Sequence, residues 1–201
     1  MNRLVLATTN KGKIRELSQF LSDMPVALVS LADVGIVEEP EENGKTYTEN
    51  SQIKALFYSR KSGLPAIADD GGLEITALDG APGILSRRWL GPQSSEKDIL
   101  SHMKKLAKTL PENNRQAFFR TVVTIAYPNG KVKSFWGEVE GIISKKPFFK
   151  YALGYPYRSF FFIPELDKYY FENELTTEEM QKFNHRYKAV SALKKALQDE
   201  F

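Results

Sequence analysis

The sequence contains no cysteine among its 201 residues. Thiol catalysis, disulfide bonds and cysteine-ligated zinc are therefore excluded, and a reducing compartment fits this composition without being required by it. Long hydrophobic runs are also lacking, because the apolar segment 4–7 gives way to polar residues and is too short for a signal peptide or a membrane span. We therefore expect a cytoplasmic protein that does not contact a membrane.

The chain also has little excess charge of either sign, with a formal net charge of +3 at pH 7. This excess is too small to indicate a nucleic-acid partner, but it mildly favours an anionic substrate. An apolar fraction of 42% is enough to build a core. No repeat, low-complexity segment or linker interrupts the chain, so we predict one domain over residues 1–201.

Hydrophobic periodicity predicts an α/β fold. The pattern predicts strands at 3–7, 26–31, 64–69, 72–78, 118–127, 131–138 and 160–163, and helices over 14–21, from about 46, over 95–108 and from 176 to about 197. Pro128-Asn129-Gly130 indicates a hairpin between two of the strands. Because hairpin strands and strands joined through helices both occur, we expect a mixed sheet.

The most informative segment is 66–72, in which an apolar run leads into two adjacent aspartates and a glycine pair. We interpret Asp69 and Asp70 as the carboxyl end of a buried strand, where α/β proteins bind ligands. Neighbouring carboxylates repel each other, so they require a cation, a proton or a strong donor, and Mg²⁺ with a phosphorylated substrate supplies such a cation. A solvated Asp-Gly turn is the structural alternative.

Two further polar segments each precede or begin a predicted helix. The first is segment 8–13. It offers a polyphosphate small hydroxyl side chains, two lysines and the N–H groups of a helix start, although it lacks the spacing of a Walker motif. A capped turn is the structural alternative. In the second, Thr46 and Glu49 have capping-box spacing. The functional alternative makes Glu49 a metal ligand, with Asn50 and Lys54 on one helix face reaching phosphates.

Five motifs, taken in order, resemble the inosine triphosphate pyrophosphatase family, at residues 6–13, 47–50, 66–73, 80–88 and 184–186. The resemblance covers about residues 3–197. It implies an elongated two-lobed α/β fold with a central mixed sheet and an active-site cleft between the lobes, and a homodimer. It also implies Mg²⁺-dependent hydrolysis of ITP, dITP and XTP to the monophosphate and pyrophosphate, which cleans the nucleotide pool.

The resemblance assigns a role to each matching position. Asp70 is the general base that activates water, and Lys54 neutralises charge that develops on phosphate. Glu49, Asp69 and Asp70 hold Mg²⁺. The implied substrate contacts are Thr8, Thr9, Asn10, Lys11, Gly12, Lys13, Asn50, Gly71, Leu153, Gly154, Tyr155, Pro156, Lys168, Met180, His185 and Arg186. This division is chemically sound, because phosphoryl transfer requires positioning and charge compensation more than covalent help.

The base-reading half departs from the family pattern. Leu153 stands where a stacking phenylalanine is usual, Pro156 replaces an aspartate, and Met180 replaces a lysine. The segment 155–164 is also two residues longer than the pattern. Two base-facing polar groups are therefore absent, while every residue proposed for phosphate and metal is present.

Two donors to the base remain, His185 and Arg186, which can reach a keto oxygen of hypoxanthine, xanthine or guanine. We therefore expect retained hydrolysis with altered base selectivity.

Two alternative functions remain open. One is hydrolysis of another nucleotide, with the logic of the related Maf-like pyrophosphatases. The other is a non-catalytic nucleotide or single-strand nucleic-acid binder that uses Lys145, Lys146, Lys150 and the nearby aromatic residues. The clustered carboxylates count against the second alternative, because they repel a phosphate backbone unless a metal is bound.

Overall fold

The computed structural model describes residues 2–171 and 173–197. The chain folds into two compact units. Unit 1 contains the described residues of 1–70, 121–137 and 185–201, and unit 2 contains those of 71–120 and 138–184. Within the described residues, no helix combines the length and the apolar character that crossing a membrane requires.

Seven strands form one mixed sheet in the order β2-β1-β3-β4-β5-β6-β7. Strand β1 pairs in parallel with β2 and β3, whereas β6 pairs antiparallel with β5 and β7. The predicted mixed α/β fold is therefore confirmed. The strands are β1 (Asn2–Leu6), β2 (Val26–Ser30), β3 (Ala66–Ile75), β4 (Gln116–Ala126), β5 (Val132–Ile143), β6 (Phe161–Ile163) and β7 (Lys168–Tyr169).

The α-helices are α1 (Lys11–Phe20), α2 (Tyr47–Ser62), α3 (Glu96–Thr109), α4 (Thr177–Phe183) and α5 (His185–Leu197). Four of them begin after a side chain that accepts N–H groups of the first turn, as N-cap residues do: Asn10, Thr46, Ser95 and Thr176. The capping box predicted from Thr176 and Glu179 is confirmed, since both of its hydrogen bonds are present. The predicted β4–β5 hairpin is confirmed as well, closed by a 2.9 Å bond from the Tyr127 N–H to the Lys131 carbonyl.

The predicted strand break at the aspartate pair is wrong. Strand β3 runs without interruption from Ala66 to Ile75, so Asp69 and Asp70 lie within a strand and not at its end. It is the neighbouring strand β1 that ends before the aspartates: the β1–β3 ladder stops where Leu6 faces Ile67. The two aspartates therefore lie beyond the carboxyl end of β1, where that neighbour no longer covers them.

The single final helix predicted over 176–197 is also wrong. Asn184 has extended backbone angles (φ −94°, ψ 116°) that end α4 and separate it from α5. Met180 consequently lies on a different helix from His185, and in the other unit. The short strand β7 was not predicted, because two residues carry no periodic pattern.

Each unit contains a hydrophobic core of its own. The unit 1 core is formed by small and branched residues and one tyrosine: Val5, Ala7, Leu31, Ile36, Ala55, Tyr58, Ala66, Ala68 and Ala126. The unit 2 core is richer in aromatic residues and includes Phe119, Tyr157, Phe160, Phe161, Tyr170 and Phe183. The carboxylates of Asp69 and Asp70 therefore lie on the element whose first residues pack in the unit 1 core.

Candidate active site

Asp69 is the centre of a buried ion-pair network in unit 1. Its Oδ2 accepts hydrogen bonds from Nε and Nη2 of Arg186 at 3.0 and 2.9 Å, and it lies 3.1 Å from Nζ of Lys13. Burial by itself raises the pKa of Asp69, but the positive charges of Lys13, Arg186 and Lys54 outweigh it and hold this pKa well below its ordinary value. Asp69 is therefore an anion at neutral pH.

Glu16 of α1 completes this network, and sequence reasoning missed it. Its Oε2 accepts a hydrogen bond from Nη1 of Arg186, and the residue is only 1% exposed. A sequence signal did exist, because Glu16 follows Lys13 by one helical turn on the face that carries the buried Leu17 and Phe20. A buried carboxylate requires a partner. The guanidinium of Arg186 thus links α1, β3 and α5, and its contact with a base stays a prediction.

Asp70 belongs to a second, adjacent charge pair. Its Oδ1 lies 3.5 Å from Nζ of Lys54, and the same Nζ lies 3.0 Å from Oε2 of Glu42. Burial raises the pKa of Asp70; Lys54 and Lys13 oppose this effect, while Glu42 and Asp69 add to it, so the pKa is raised overall. Burial lowers the pKa of Lys54, but Asp70 and Glu42 outweigh it and raise the pKa overall. The pair combines a strengthened base with a permanent cation.

The network also acts on Lys13. Burial is the largest influence and lowers the pKa of Lys13; Asp69 opposes it, and Lys54 and Arg186 lower the pKa further. Nζ of Lys13 also donates to the backbone carbonyl of Asp69 at 3.4 Å. Three cations therefore face the two aspartates, and Glu16 and Glu42 bring the number of carboxylates to four, so these groups favour a further cation.

Two buried carboxylate oxygens at this site have no hydrogen-bond partner among the described residues, Oδ1 of Asp69 and Oδ2 of Asp70. Buried acceptors are nearly always satisfied, so this unsatisfied pair indicates a place for a bound donor or cation. Mg²⁺ is commonly held by one or two carboxylates and takes its other ligands from water and substrate phosphates. The donor set therefore fits Mg²⁺, although no group of three His, Cys, Asp or Glu side chains within 2–171 and 173–197 is arranged to hold a metal alone.

Glu49 makes the contacts of a helix-capping residue. Its N–H donates to Oγ1 of Thr46 at 3.1 Å, and its own Oε2 accepts the N–H of Lys45 at 2.5 Å. The capping predicted from the spacing is therefore present, with Lys45 in place of Thr46 as the second donor. In the part of the chain that the structure describes, Glu49 forms no three-carboxylate cluster with Asp69 and Asp70. Its metal role stays a prediction.

The predicted phosphate loop is a capped turn between β1 and α1. Oδ1 of Asn10 accepts the N–H groups of Gly12 and Lys13 at 2.8 and 3.1 Å, and Oγ1 of Thr8 accepts the N–H of Asn10 at 3.2 Å. Lys11 is exposed. The cap starts α1 in the orientation that brings Lys13 to Asp69, so the capped-turn alternative is confirmed and the phosphate contacts of this loop stay a prediction.

Predicted site residues also hold the acidic loop 38–45. Oγ1 of Thr9 donates to Oε1 of Glu39 at 3.3 Å, and Oδ1 of the buried Asn50 accepts the N–H of Gly44 at 2.9 Å. Together with the Lys54–Glu42 pair, these bonds fix the loop beside α2. The Oδ1 of Asn50 thus has a structural use that the sequence did not reveal.

Thr121 of β4 is another site residue that sequence reasoning missed. Its buried Oγ1 donates to the backbone carbonyl of Asp70 at 2.9 Å and lies 3.5 Å from Oδ2 of Asp69. The hydroxyl therefore fixes the peptide that follows Asp70. A lone threonine inside an apolar strand carries no signal that distinguishes this use from ordinary strand packing.

The residues predicted to read the base lie mainly in unit 2. Leu153 is 63% exposed, and the Gly154 N–H donates to Oε1 of Glu96 at 3.1 Å. The ring of Tyr155 lies 3.7 Å from the guanidinium of Arg158. Gly71, the buried Pro156, Lys168 and Met180 belong to the same unit.

Lys168 and Met180 also contact other residues of unit 2. Nζ of Lys168 lies 2.8 Å from both carboxylate oxygens of Glu179, and Met180 packs against the aromatic core. His185 and Arg186 are the exceptions to the division, since they open α5 in unit 1.

Comparisons with known proteins find relatives of nearly the whole chain. The profile of the Ham1 family matches residues 4–196. The dITP/XTP pyrophosphatase of Haemophilus influenzae is 40% identical over 197 residues, which cover 97% of this chain and 98% of that protein. A dITP/XTP pyrophosphatase of Thermus thermophilus is 38% identical over 197 residues, which cover 98% of this chain and 92% of that protein. A solved HAM1 protein from Coxiella burnetii matches with a TM-score of 0.83 at 29% identity, covering 99% of this chain and 100% of that one.

Proposed function

The chain belongs to the Ham1 family, and we propose that it hydrolyses dITP, ITP and XTP to the monophosphate and pyrophosphate. The resemblance drawn from the five sequence motifs is thereby confirmed. The observation that carries the proposal is the buried aspartate pair: each carboxylate has one oxygen paired with a cation, Lys13 and Arg186 for Asp69 and Lys54 for Asp70, and one oxygen with no hydrogen-bond partner among the described residues. The relatives do not favour either alternative function. We propose that residues 1–201 act as one pyrophosphatase domain.

Asp70 acts as the general base in this reaction. Its raised pKa makes it a stronger proton acceptor than an ordinary aspartate, and general-base assistance contributes about 10²–10⁴-fold to a rate. Lys54 stays protonated and offsets the charge that develops on the phosphates. Lys13 and Arg186 hold Asp69 ionised beside the base. The protein thus supplies a proton acceptor and, in Lys54, a positive charge beside it.

We propose that Mg²⁺ is the cofactor and that Asp69, Asp70 and Glu49 hold it. When bound, the cation supplies charge neutralisation for the triphosphate and its leaving group. The free oxygens of Asp69 and Asp70 support this assignment, and Glu49 is the weaker member because it also caps α2.

We propose that the triphosphate binds along Thr8, Thr9, Asn10, Lys11, Gly12 and Lys13, with Asn50 and Gly71 beside it. On the base side we propose Leu153, Gly154, Tyr155, Pro156, Lys168, Met180, His185 and Arg186. We further propose a homodimer, as the family resemblance implies, and a cytoplasmic location, since the substrates belong to the nucleotide pool. Size-exclusion chromatography with light scattering and cell fractionation test these two points.

The base selectivity follows from what the base-side residues can offer. Pro156 cannot accept a hydrogen bond from a base through its side chain, and Met180 offers no ammonium. A site that pairs buried polar groups with the correct base rejects a wrong one by about 10⁴–10⁵, whereas an apolar pocket achieves about 10–200-fold. We therefore expect the preference for ITP over ATP to stay below about 10⁴.

The decisive experiment measures pyrophosphate release with Mg²⁺ across ITP, XTP, dITP, GTP and ATP. Hydrolysis of the first three to monophosphate supports the proposed function. Release of orthophosphate, or hydrolysis confined to another nucleotide, contradicts it. If kcat/KM for ITP exceeds that for ATP by more than about 10⁴, other donors read the base and the selectivity argument is wrong.

A further inference from the structure

Gly137 lies in β5 at a point where the strand meets the first turn of α5. A Cβ atom at this position would lie 1.9 Å from the carbonyl oxygen of His185 and 2.9 Å from the backbone nitrogen of Ala189. These two backbone atoms belong to the first turn of α5. Glycine is therefore the residue that allows strand and helix to approach this closely, since any side chain would overlap a backbone carbonyl.

The turn that contacts Gly137 also carries Arg186. The guanidinium of Arg186 is 3% exposed and is fixed by three hydrogen bonds, two to Oδ2 of Asp69 and one to Glu16. These bonds have lengths of 2.9 and 3.0 Å on the Asp69 side. A shift of the turn by about 1 Å is therefore enough to break them, because hydrogen bonds weaken quickly beyond their normal length.

Helix α5 is also held by its packing on α1, which opposes movement away from β5. On its other side it packs on α1, where the rings of Phe20 and Tyr187 meet edge to face at 5.2 Å and Lys194 pairs with Asp23. To bring the His185 carbonyl out to 3.0 Å from an added Cβ, the turn must move by about 1 Å toward α1. Close-packed interiors transmit such a displacement rather than absorb it.

We propose that Gly137 is a positioning residue for the hydrolytic reaction: its missing side chain sets the depth of the first turn of α5 and so places Arg186 on Asp69. This inference rests on the proposed pyrophosphatase function. Gly137 contacts neither the substrate nor the aspartates in this proposal, and it affects the position of Arg186 only through the backbone of His185. Misplacement of about 1 Å far from the chemistry costs on the order of 100-fold in rate.

The experiment compares Gly137→Ala with Gly141→Ala in the full-length protein. Gly141 lies four residues further along β5, and a Cβ there would lie 2.5 Å from both a ring carbon of Phe161 and the carbonyl oxygen of Phe162. Both substitutions therefore place a Cβ against a backbone carbonyl, more closely at Gly137, but the second meets the unit 2 core. We expect Gly137→Ala to lower kcat/KM for XTP by about 10- to 100-fold per folded chain. Gly141→Ala should lower the Tm and keep kcat/KM within about twofold.

A double-mutant cycle with Arg186→Lys separates positioning from general destabilisation. If Gly137 acts through Arg186, adding Gly137→Ala to Arg186→Lys lowers kcat/KM by less than about twofold further, and the Tm losses of the two changes sum to more than the loss of the double variant. If Gly137→Ala lowers kcat/KM and the Tm as much in the Arg186→Lys protein as in the wild type, the inference is contradicted.

The remaining outcomes are also decisive. An active wild type with an equally active Gly137→Ala variant overturns the inference and leaves the proposed function intact. A wild type that does not hydrolyse XTP overturns the proposed function, and the Tm cycle then still decides the coupling of Gly137 to Arg186. If Gly137→Ala does not fold while Gly141→Ala does, the contact is structural and the inference is wrong.

Discussion

Replacing Arg186 with methionine should destabilise the protein even when no nucleotide is present. The substitution keeps much of the side-chain length but removes the guanidinium, so Glu16 and Asp69 lose their shared partner. Both carboxylates are almost completely buried, with side chains 2% and 0% exposed. Removing one partner from a buried ion pair costs about 3–5 kcal/mol, because an uncompensated charge remains. Lys13 still lies 3.1 Å from Asp69, so we expect the lower end of this range.

The assay is urea unfolding at pH 7 together with thermal unfolding. For a chain of this size the loss corresponds to a decrease in Tm on the order of 10 °C. The pKa of Asp69 is depressed in the folded state, so its contribution to stability is fully present above about pH 4 and is lost as the pH falls further. The deficit of the variant should therefore narrow on acidification.

A matched control is Arg87→Met, since Arg87 is an exposed arginine whose Nη1 donates to the backbone carbonyl of Ser94. Surface substitutions of this kind usually change stability by about 0.5 kcal/mol or less. If Arg186→Met unfolds within about 1 kcal/mol of wild type at pH 7, Arg186 does not hold Asp69 in solution, and its part in the network is refuted.

Three further predictions concern the carboxylates. Asp70→Asn should reduce hydrolysis by at least about 100-fold with an unchanged Tm, because the amide cannot accept the proton of water; a loss of less than about tenfold in a steady-state assay removes Asp70 from the role of base. Glu42→Gln should move the acid limb of the kcat/KM profile to lower pH: the base works deprotonated, Glu42 raises the pKa of Asp70, and an unmoved limb contradicts this coupling. Glu49→Gln should keep the Tm, since an amide oxygen can still accept the Lys45 N–H, but it should raise the Mg²⁺ concentration that gives the half-maximal rate. Glu49→Ala should both lower the Tm and raise that Mg²⁺ concentration. Equal Mg²⁺ requirements in the wild type and the two variants exclude Glu49 as a ligand.

The features that could be predicted from the sequence are those that short stretches determine. The Asn10 cap, the Thr176–Glu179 capping box and the Asn129-Gly130 hairpin each depend on residues fewer than five positions apart. Neighbouring residues dictate such features through hydrogen bonds to the adjacent backbone. The break between α4 and α5 escaped the same reasoning because apolar periodicity continues through Asn184, and only its backbone angles reveal the end of a helix.

The charge network could not be predicted from spacing. Asp69 and Arg186 are 117 positions apart, and Glu16 and Arg186 are 170 positions apart. No local rule pairs residues at such distances. The adjacency of Asp69 and Asp70 by itself predicted a nearby cation, but the role of Arg186 came only from the family resemblance. Glu16 and Thr121 lay outside the motifs that carried the resemblance, which is why both were missed.

The placement of the site residues gives a physical reason to expect retained chemistry with altered selectivity. The aspartates, their three cations and the predicted phosphate loop all belong to unit 1, and the hydrogen bonds and ion pairs described above between the aspartates and the cations lie within that unit. Pro156 and Met180 belong to unit 2, whose aromatic core contacts Met180. Substitutions at these two positions therefore alter none of the contacts that set the pKa of Asp70 or hold Asp69. Because stability effects at sites without shared partners are nearly additive, we expect changes at the proposed base-side positions to leave the proposed hydrolytic centre undisturbed.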